Sequence, residues 1–365
     1  MMVYFLKYYQ LIVAIILTFL TGTVQAKLLS QVEDTVRIGL MLSEDPETDI
    51  NSREALFTVQ YVANRVNERG GLNGRTLEII YKSGAGDWGI NSKKSVELIY
   101  DHDVSAIMGS LDGQNAHLTQ MAITKAEVVF LATRATDPTL SNANIPWFFR
   151  VIPSDKQQAE TLTEYIFRVR GLNNIAVIYS NHYDSRMAAN AFNRLASEKL
   201  HYSIQTFEYD QQKMEFESLL LQLKNDDKDG IVHFGLDREL INLLSAMEKT
   251  DFKKPVFIPL TFQSELMDTD HSFEIYSVCP IKWPPQFDSG FISLFKKQFQ
   301  RNPGLIAAYS YDGIQILVES IRNKGYSRRE IRDRLSVLDY PTGVTGQIRF
   351  NNNGDIVNQT TICKW

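Results

Sequence analysis

Residues 106–141 read AIMGSLDGQNAHLTQMAITKAEVVFLATRATDPTLS. The stretch parses as strand, polar loop, helix, strand, polar loop. A short apolar run, Ala106–Met108, ends at Gly109, and a Ser-Leu-Asp-Gly-Gln-Asn turn leads into a helix expected from about Ala116. A second apolar run, Val128–Ala132, ends in Thr133-Arg134-Ala135-Thr136-Asp137-Pro138. Two parallel strands joined by a helix bring both polar loops to one edge of the sheet, beyond the strand carboxyl ends, where open α/β sheets bind ligands. The Ser, Thr, Asp and Arg side chains there, with their backbone N–H groups, suit a small polar or zwitterionic molecule.

The same alternation runs outward from this stretch. Upstream, Val36–Met41 reads as a strand and Arg53–Glu68 as an amphipathic helix stopped by Gly70-Gly71. Thr76–Tyr81 is a strand and Ser92–Tyr100 a helix. Downstream, Trp147–Ile152 runs extended into a helix start at Pro153-Ser154-Asp155, and a second alternating set follows as far as Val256–Ile258. In that set, helices are expected over 156–169, Ser185–Lys199, Glu215–Lys224 and Glu239–Lys249. Strands alternating with helices of this length imply parallel sheets covered on both faces. The fold class is α/β, with two Rossmann-like lobes. After Pro280 the pattern changes to three helices, Phe287–Gln300, Ala307–Asn323 and Ser327–Val337, and a hairpin turning at Asn353-Gly354. This run is too short for a third domain and suits a chain that returns to finish both lobes. Connections between lobes are short, as a hinge requires.

Composition sets further bounds. The 365 residues are 44% hydrophobic and 22% charged with a formal net charge of -5, which fits one or two globular domains and no basic face for nucleic acid. The N-terminus has a short region bearing Lys7, an apolar core Leu11–Leu20 and a small-residue site Val24-Gln25-Ala26. This is the pattern of a signal peptide over residues 1–26, and the apolar core is short for a membrane anchor. The expected location is therefore the periplasm. The two cysteines, Cys279 and Cys363, either form one disulfide in that oxidising compartment or remain buried thiols. No metal-ligand spacing and no nucleophile motif occurs, so neither a metal nor a cofactor is expected, and no catalytic residue.

Five segments in order resemble the type I periplasmic solute-binding proteins, leucine/isoleucine/valine-binding branch. They are the turn Asn67–Arg75, the two loops after Met108 and Ala132, the segment Ile175–Tyr183, the helix Ala308–Gly313, and the closing hairpin Gly343–Phe350 with Asn353-Gly354-Asp355. The resemblance covers essentially residues 35–365. It implies two lobes joined by a three-strand hinge, with crossings near Ile152, Pro280 and Tyr340. Lobe 1 is then 35–151 plus 281–339, and lobe 2 is 152–280 plus 340–365.

The resemblance also implies a ligand set. In the first lobe it falls at Gly113, Arg134, Ala135 and Thr136, beside Ser110 and Asp112. In the second it falls at Tyr183, Leu236 and Thr261. Where amino-acid binders offer a Ser hydroxyl, this chain has Gly113. Where they have a small residue, it has Arg134, which either clamps a ligand carboxylate or pairs with Asp112 or Asp137. Asp112 either receives a ligand ammonium or neutralises Arg134. Thr261 stands in place of the acid that holds the ligand amino group in leucine-type binders, which argues against an ordinary α-amino acid. The expected function is a non-enzymatic receptor, a monomer, that captures a small carboxylate, amino acid or amide and feeds an ABC permease. The alternative is the same fold signalling to a membrane sensor. A hydrolase lacks its motifs, and a repressor of related fold would carry a DNA-binding segment where the signal sequence stands.

Overall fold

The computed structural model describes residues 35–84, 89–202, 204–260, 270–322, 325–357 and 360–365. The expected signal peptide, 1–26, and the expected ligand residue Thr261 lie outside the described residues.

Strands β1 (Thr35–Leu42), β2 (Thr76–Ser83), β3 (Ala106–Ser110), β4 (Val129–Ala132) and β5 (Phe148–Arg150) form a parallel sheet in the order β2-β1-β3-β4-β5. Strands β6 (Ile175–Ser180), β7 (Ile204–Tyr209), β8 (Gly230–Phe234), β9 (Val256–Ile258), β10 (Ile275–Pro280) and β11 (Thr360–Lys364) form the second, in the order β11-β10-β9-β8-β6-β7. Only the β10–β11 pair of that sheet is antiparallel. The central strands β3, β4, β8 and β10 are buried along their whole length, which is why they read as continuous apolar runs rather than alternating ones. The edge strands β2 and β7 mix buried or half-buried with exposed positions. In each sheet the strand order reverses, at β1/β3 in one and at β6/β8 in the other. The carboxyl ends of those four strands are where such sheets leave a crevice for a ligand.

The helices between strands are α1 (Ile50–Glu68), α2 (Ile90–Val96), α3 (Gly113–Ala126), α4 (Thr139–Asn142), α5 (Asp155–Thr163), α6 (Tyr183–Asn193), α7 (Phe216–Asn225) and α8 (Asp237–Thr250). Helices α2, α5 and α6 each continue through a π-helical turn. Three of them start earlier than their apolar periodicity suggests: α3 at Gly113, α6 at Tyr183 and α8 at Asp237. The caps explain two of these starts. The Asp112 carboxylate accepts the Asn115 N–H at 2.8 Å, and the Glu239 carboxylate reaches back to the Leu236 N–H at 2.7 Å. The consequence is functional, because the residues facing the crevice sit in the first turns of helices.

After β10 the chain returns to the first sheet with α9 (Ser289–Phe299), α10 (Leu305–Arg322) and α11 (Arg328–Ser336). Helix α10 approaches that sheet closely at Gly313, where a Cβ would lie 2.8 Å from Thr133 Cγ2. The chain then crosses back. Tyr340 and Ile348 exchange backbone hydrogen bonds at 2.9 and 2.8 Å, Asp355 closes the Asn351 turn, and β11 joins β10. It therefore passes between the two sheets three times: after β5, after β10 and before β11. The last crossing is pinned by Asp312 of α10, whose buried carboxylate accepts from the Val344 N–H at 2.7 Å and the Thr345 hydroxyl at 2.6 Å. A disulfide joins Cys279 of β10 to Cys363 of β11, with the Cα atoms 5.9 Å apart.

The motif at Asn67–Arg75 also has a physical reading. The Asn67 side chain bonds both the N–H and the carbonyl of Leu77 at 2.8 Å, locking the end of α1 to the start of β2. Gly71, at φ +75°, turns the chain so tightly that a Cβ there would meet the Arg75 carbonyl at 2.0 Å.

Candidate functional site

The carboxyl ends of both sheets face one another across a cavity of about 300 Å3. Asn51, Arg134 and Thr136 line it from the first sheet's side. Asp155, Gln158, Asp184, Ser185, His233 and the Phe234–Arg238 turn line it from the second. Among the expected site residues, Arg134, Thr136 and Leu236 are on its wall.

The first-sheet wall is built around Ser43, just after β1. Its hydroxyl donates to the Ser110 carbonyl at 3.1 Å and accepts the Asp112 N–H at 3.1 Å. The Arg134 guanidinium donates to the same oxygen at 3.5 Å. Ser110 is thus a buried strand end that contributes its carbonyl to this junction. The carboxylate of Asp112 caps α3, bonding the Asn115 N–H and, at 2.6 Å, the Asn115 side-chain amide. Ala135 is buried, and its carbonyl faces the guanidinium of Arg150.

Arg150, fully buried, holds the loop after β4 in shape. It donates to the carbonyl of Asp137 at 2.6 Å and to the Ser141 hydroxyl at 3.0 Å, and it pairs with Asp355 of the closing hairpin. The loop's own Asp137 carboxylate takes the Thr139 N–H at 2.8 Å, the Thr139 hydroxyl at 2.7 Å and the Tyr183 hydroxyl at 2.8 Å, with His117 Nε2 at 3.0 Å. Burial raises its pKa, but the bonds from His117, Thr139 and Tyr183 outweigh burial and bring it down to about 2. The Tyr183 bond crosses from the second lobe to the first, so the expected aromatic residue serves as a bridge between lobes.

A second bridge lies beside it. Asp184, in the first turn of α6, accepts the Gly113 N–H at the start of α3 at 3.0 Å through Oδ1 and 3.3 Å through Oδ2. A Cβ on residue 113 would sit 2.6 Å from that Oδ1. Burial and then the neighbouring Asp112 raise the Asp184 pKa to about 6, against the pull of His182, Arg134 and the Gly113 amide.

Asp155, first residue of α5, is the most informative group on the wall. Its Oδ2 is buried and has no hydrogen-bond partner among the described residues. Burial pushes its pKa to about 7. The Thr136 hydroxyl and Arg150 oppose that rise, and Asp184 and Asp137 add to it. The Asn51 side-chain oxygen, in the first turn of α1, is likewise buried without a partner among the described residues. Both residues line the cavity, and two buried oxygens beside it without donors fit a ligand that brings its own N–H or O–H groups. Gln158 fixes the floor, donating to the Pro153 carbonyl and accepting the Leu260 N–H, both at 2.9 Å. Burial drives the His233 pKa down to about 3, so the ring is neutral. It rests 2.9 Å from the Tyr209 hydroxyl, which donates to Glu239 at 3.0 Å. Among the described residues no cluster of three or more His, Cys, Asp or Glu side chains could hold a metal ion.

Sequence reasoning missed Asp155, Asp184 and Asn51 as cavity residues. Asp155 reads in sequence as an ordinary helix-start acid. Asp184 was one residue away from the expected Tyr183, and only the early start of α6 turns it inward.

A family model described as periplasmic binding protein matches residues 35–365. The chain is 21% identical over 345 residues to Glutamate receptor 3.7 of Arabidopsis thaliana, covering 88% of this chain but only 36% of that protein. It superposes with a TM-score of 0.75 on the branched-chain amino acid substrate-binding protein LivJ of Streptococcus pneumoniae, solved with isoleucine. That match is at 18% identity and covers 91% of this chain and 100% of the other. A solute-binding protein of an ABC transporter from Rhodopseudomonas palustris, solved with 3,4-dihydroxybenzoic acid, gives a TM-score of 0.75 at 17% identity, covering 90% of this chain and 93% of that one.

Proposed function

The chain belongs to the periplasmic binding protein family, and on that premise we propose that it is an exported solute receptor. It closes its two lobes on a small polar molecule and hands the closed complex to an ABC importer, without chemical turnover. The observation that carries this reading is the cavity between the strand carboxyl ends, lined by Asp155, whose buried Oδ2 has no partner among the described residues. Supporting it, the three crossings between sheets fit a hinge at residues near 152, 280 and 340. The Tyr183–Asp137 and Asp184–Gly113 bonds are contacts that form when the lobes meet.

In this account Thr136 and Asp155 hold the polar end of the ligand, Leu236 and Leu240 provide apolar contact, and Arg150 keeps the Thr136 loop rigid behind them. Binding stabilises the closed arrangement because only that arrangement contacts the ligand from both sides. The solved relatives that hold isoleucine or a dihydroxybenzoic acid show that the fold accommodates ligands of this size.

The test is a thermal-shift screen of the chain without residues 1–26 against amino acids, amines, amides, urea and aliphatic and aromatic carboxylates. A ligand at a hundred times its Kd stabilises the folded state by about 2.7 kcal/mol, a rise of several degrees in Tm. The reading expects such a rise for at least one class, with the compound recovered unaltered afterwards. Conversion of the compound would overturn it.

A further inference from the structure

Resting on the receptor reading, we infer that Asp184 fills, from within the chain, the seat a ligand carboxylate would take, so that the site selects carboxylate-free ligands: small amines and amides rich in N–H donors.

The first ground is the Gly113 amide. It opens α3, a helix of 14 residues, and such an N-terminus is a natural place for an anion. That place is taken. Both Asp184 oxygens lie within 3.3 Å of the Gly113 nitrogen. The absence of a side chain at 113 is what makes room, since any Cβ would collide with Asp184 Oδ1 at 2.6 Å and crowd Asp137 Cβ at 3.1 Å. A glycine and an aspartate from opposite lobes are therefore fitted to each other.

The charges around the seat point the same way. Arg134 is the cation on that wall, and both Asp184 and Glu44 already feel its field. Asp112 stands close enough to both carboxylates to oppose their ionisation. One more carboxylate brought in by a ligand would face Asp184, Asp112 and Glu44 beside Arg134, with Arg238 on the far side of the cavity, a like-charge crowd in a partly dehydrated space.

An independent observation specifies what the ligand offers instead. Asp155 and Asn51 line the same cavity, and their buried oxygens Asp155 Oδ2 and Asn51 Oδ1 have no donor among the described residues. With Asp155 ionised, as it is above about pH 7, an ammonium, amidinium or primary amide group satisfies such acceptors and a carboxylate does not. Arg134 is thereby a partner of the protein's own acids rather than an anion clamp.

The experiment uses matched pairs that differ only by the carboxylate: alanine and ethylamine, leucine and 3-methylbutylamine, phenylalanine and 2-phenylethylamine. Each is titrated by calorimetry at pH 8 into the wild-type chain, D184A and D184N, with the Tm of each variant recorded to confirm folding. In the wild type the amine of at least one pair binds ten times more tightly than its amino acid. D184A frees the Gly113 N–H and narrows or reverses that preference by at least tenfold. D184N keeps an oxygen on the Gly113 amide and retains a preference for the amine. A wild-type preference for the amino acid in every pair that binds overturns this inference and leaves the receptor reading standing. So does a preference unchanged in a folded D184A. No binding by any pair to either protein overturns the inference as well, and the receptor reading then stands or falls on the wider thermal-shift screen.

Discussion

Replacing Arg150 probes how the binding loop is held. Its guanidinium is fully buried and makes bonds to four separate places: the Asp137 carbonyl at 2.6 Å, the Ala135 carbonyl at 3.5 Å, the Ser141 hydroxyl at 3.0 Å, and the carboxylate of Asp355, to which Nε lies at 3.0 Å. Asp355 is itself largely buried in the closing hairpin. Arg150→Met keeps most of the volume but leaves that carboxylate without its cation and the loop carbonyls without their donor. Breaking a buried ion pair by removing one partner costs about 3–5 kcal/mol. Each stranded acceptor adds to the penalty, though not independently, since the bonds belong to one network. The expected loss is therefore about 4 kcal/mol, read as a fall in the urea midpoint at unchanged m-value. Arg150→Met combined with Asp355→Leu removes the stranded charge, so the double variant should recover a substantial part of the loss. The loop also carries Arg134 and Thr136, and ligand affinity of the single variant should drop along with stability. A loss below 1 kcal/mol, or a double variant as unstable as the sum of both singles, would refute the claim that this network shapes the loop.

Gly113→Ala places a methyl group 2.6 Å from Asp184 Oδ1, so it should part the two lobes at this point and weaken ligand binding at least tenfold with the Tm little changed; calorimetry reads both. Asp155 and Asp184 carry pKa values raised to about 7 and about 6, so they bind protons more tightly folded than unfolded. Unliganded stability should accordingly fall as pH rises from about 4 to about 7 and then level off, and D155N should flatten the upper part of that decline in urea titrations at pH 4.5 and 7.5. Asp137 has the opposite sign: with a folded pKa near 2, its contribution is present above about 4 and is lost as pH falls toward 2, a loss D137N should abolish. Reducing Cys279–Cys363 opens a loop of 84 residues, and the chain-entropy model places the loss at about 4–5 kcal/mol, measurable as a lower urea midpoint in reductant.

Much of the fold was legible because the signals were local and redundant. Buried parallel strands such as Ala106–Ser110 and Val129–Ala132 are short apolar runs with a polar loop at their carboxyl ends, and helices such as α1 and α8 show a clear apolar stripe. The two loops were located correctly for the same reason. The individual contacts were harder to read, because they depend on how the lobes approach one another. Asp112 reads in the sequence as a ligand acceptor or a partner of Arg134, and the cap its carboxylate forms on α3 is not displayed there. Arg134 lines the cavity, but the acids around it come from the far lobe and from the turn after β1, which no local pattern reveals. Asp184 directly follows Tyr183 and Asp155 directly follows the helix cap Ser154, and only burial distinguishes them from the many surface acids of this chain. The Gly113–Asp184 fit is a pairing across 71 positions that a single sequence does not display.

The central claim is that the cavity holds a ligand through Asp155. Calorimetric titration of the screened ligand into the wild-type chain and D155N, side by side at pH 8, tests it most directly. A hydrogen bond to a charged group is worth about 1.5–3 kcal/mol, so the account predicts an affinity roughly ten- to a hundredfold weaker in D155N with the Tm of the unliganded protein maintained or raised. Equal affinities for the two proteins would contradict it.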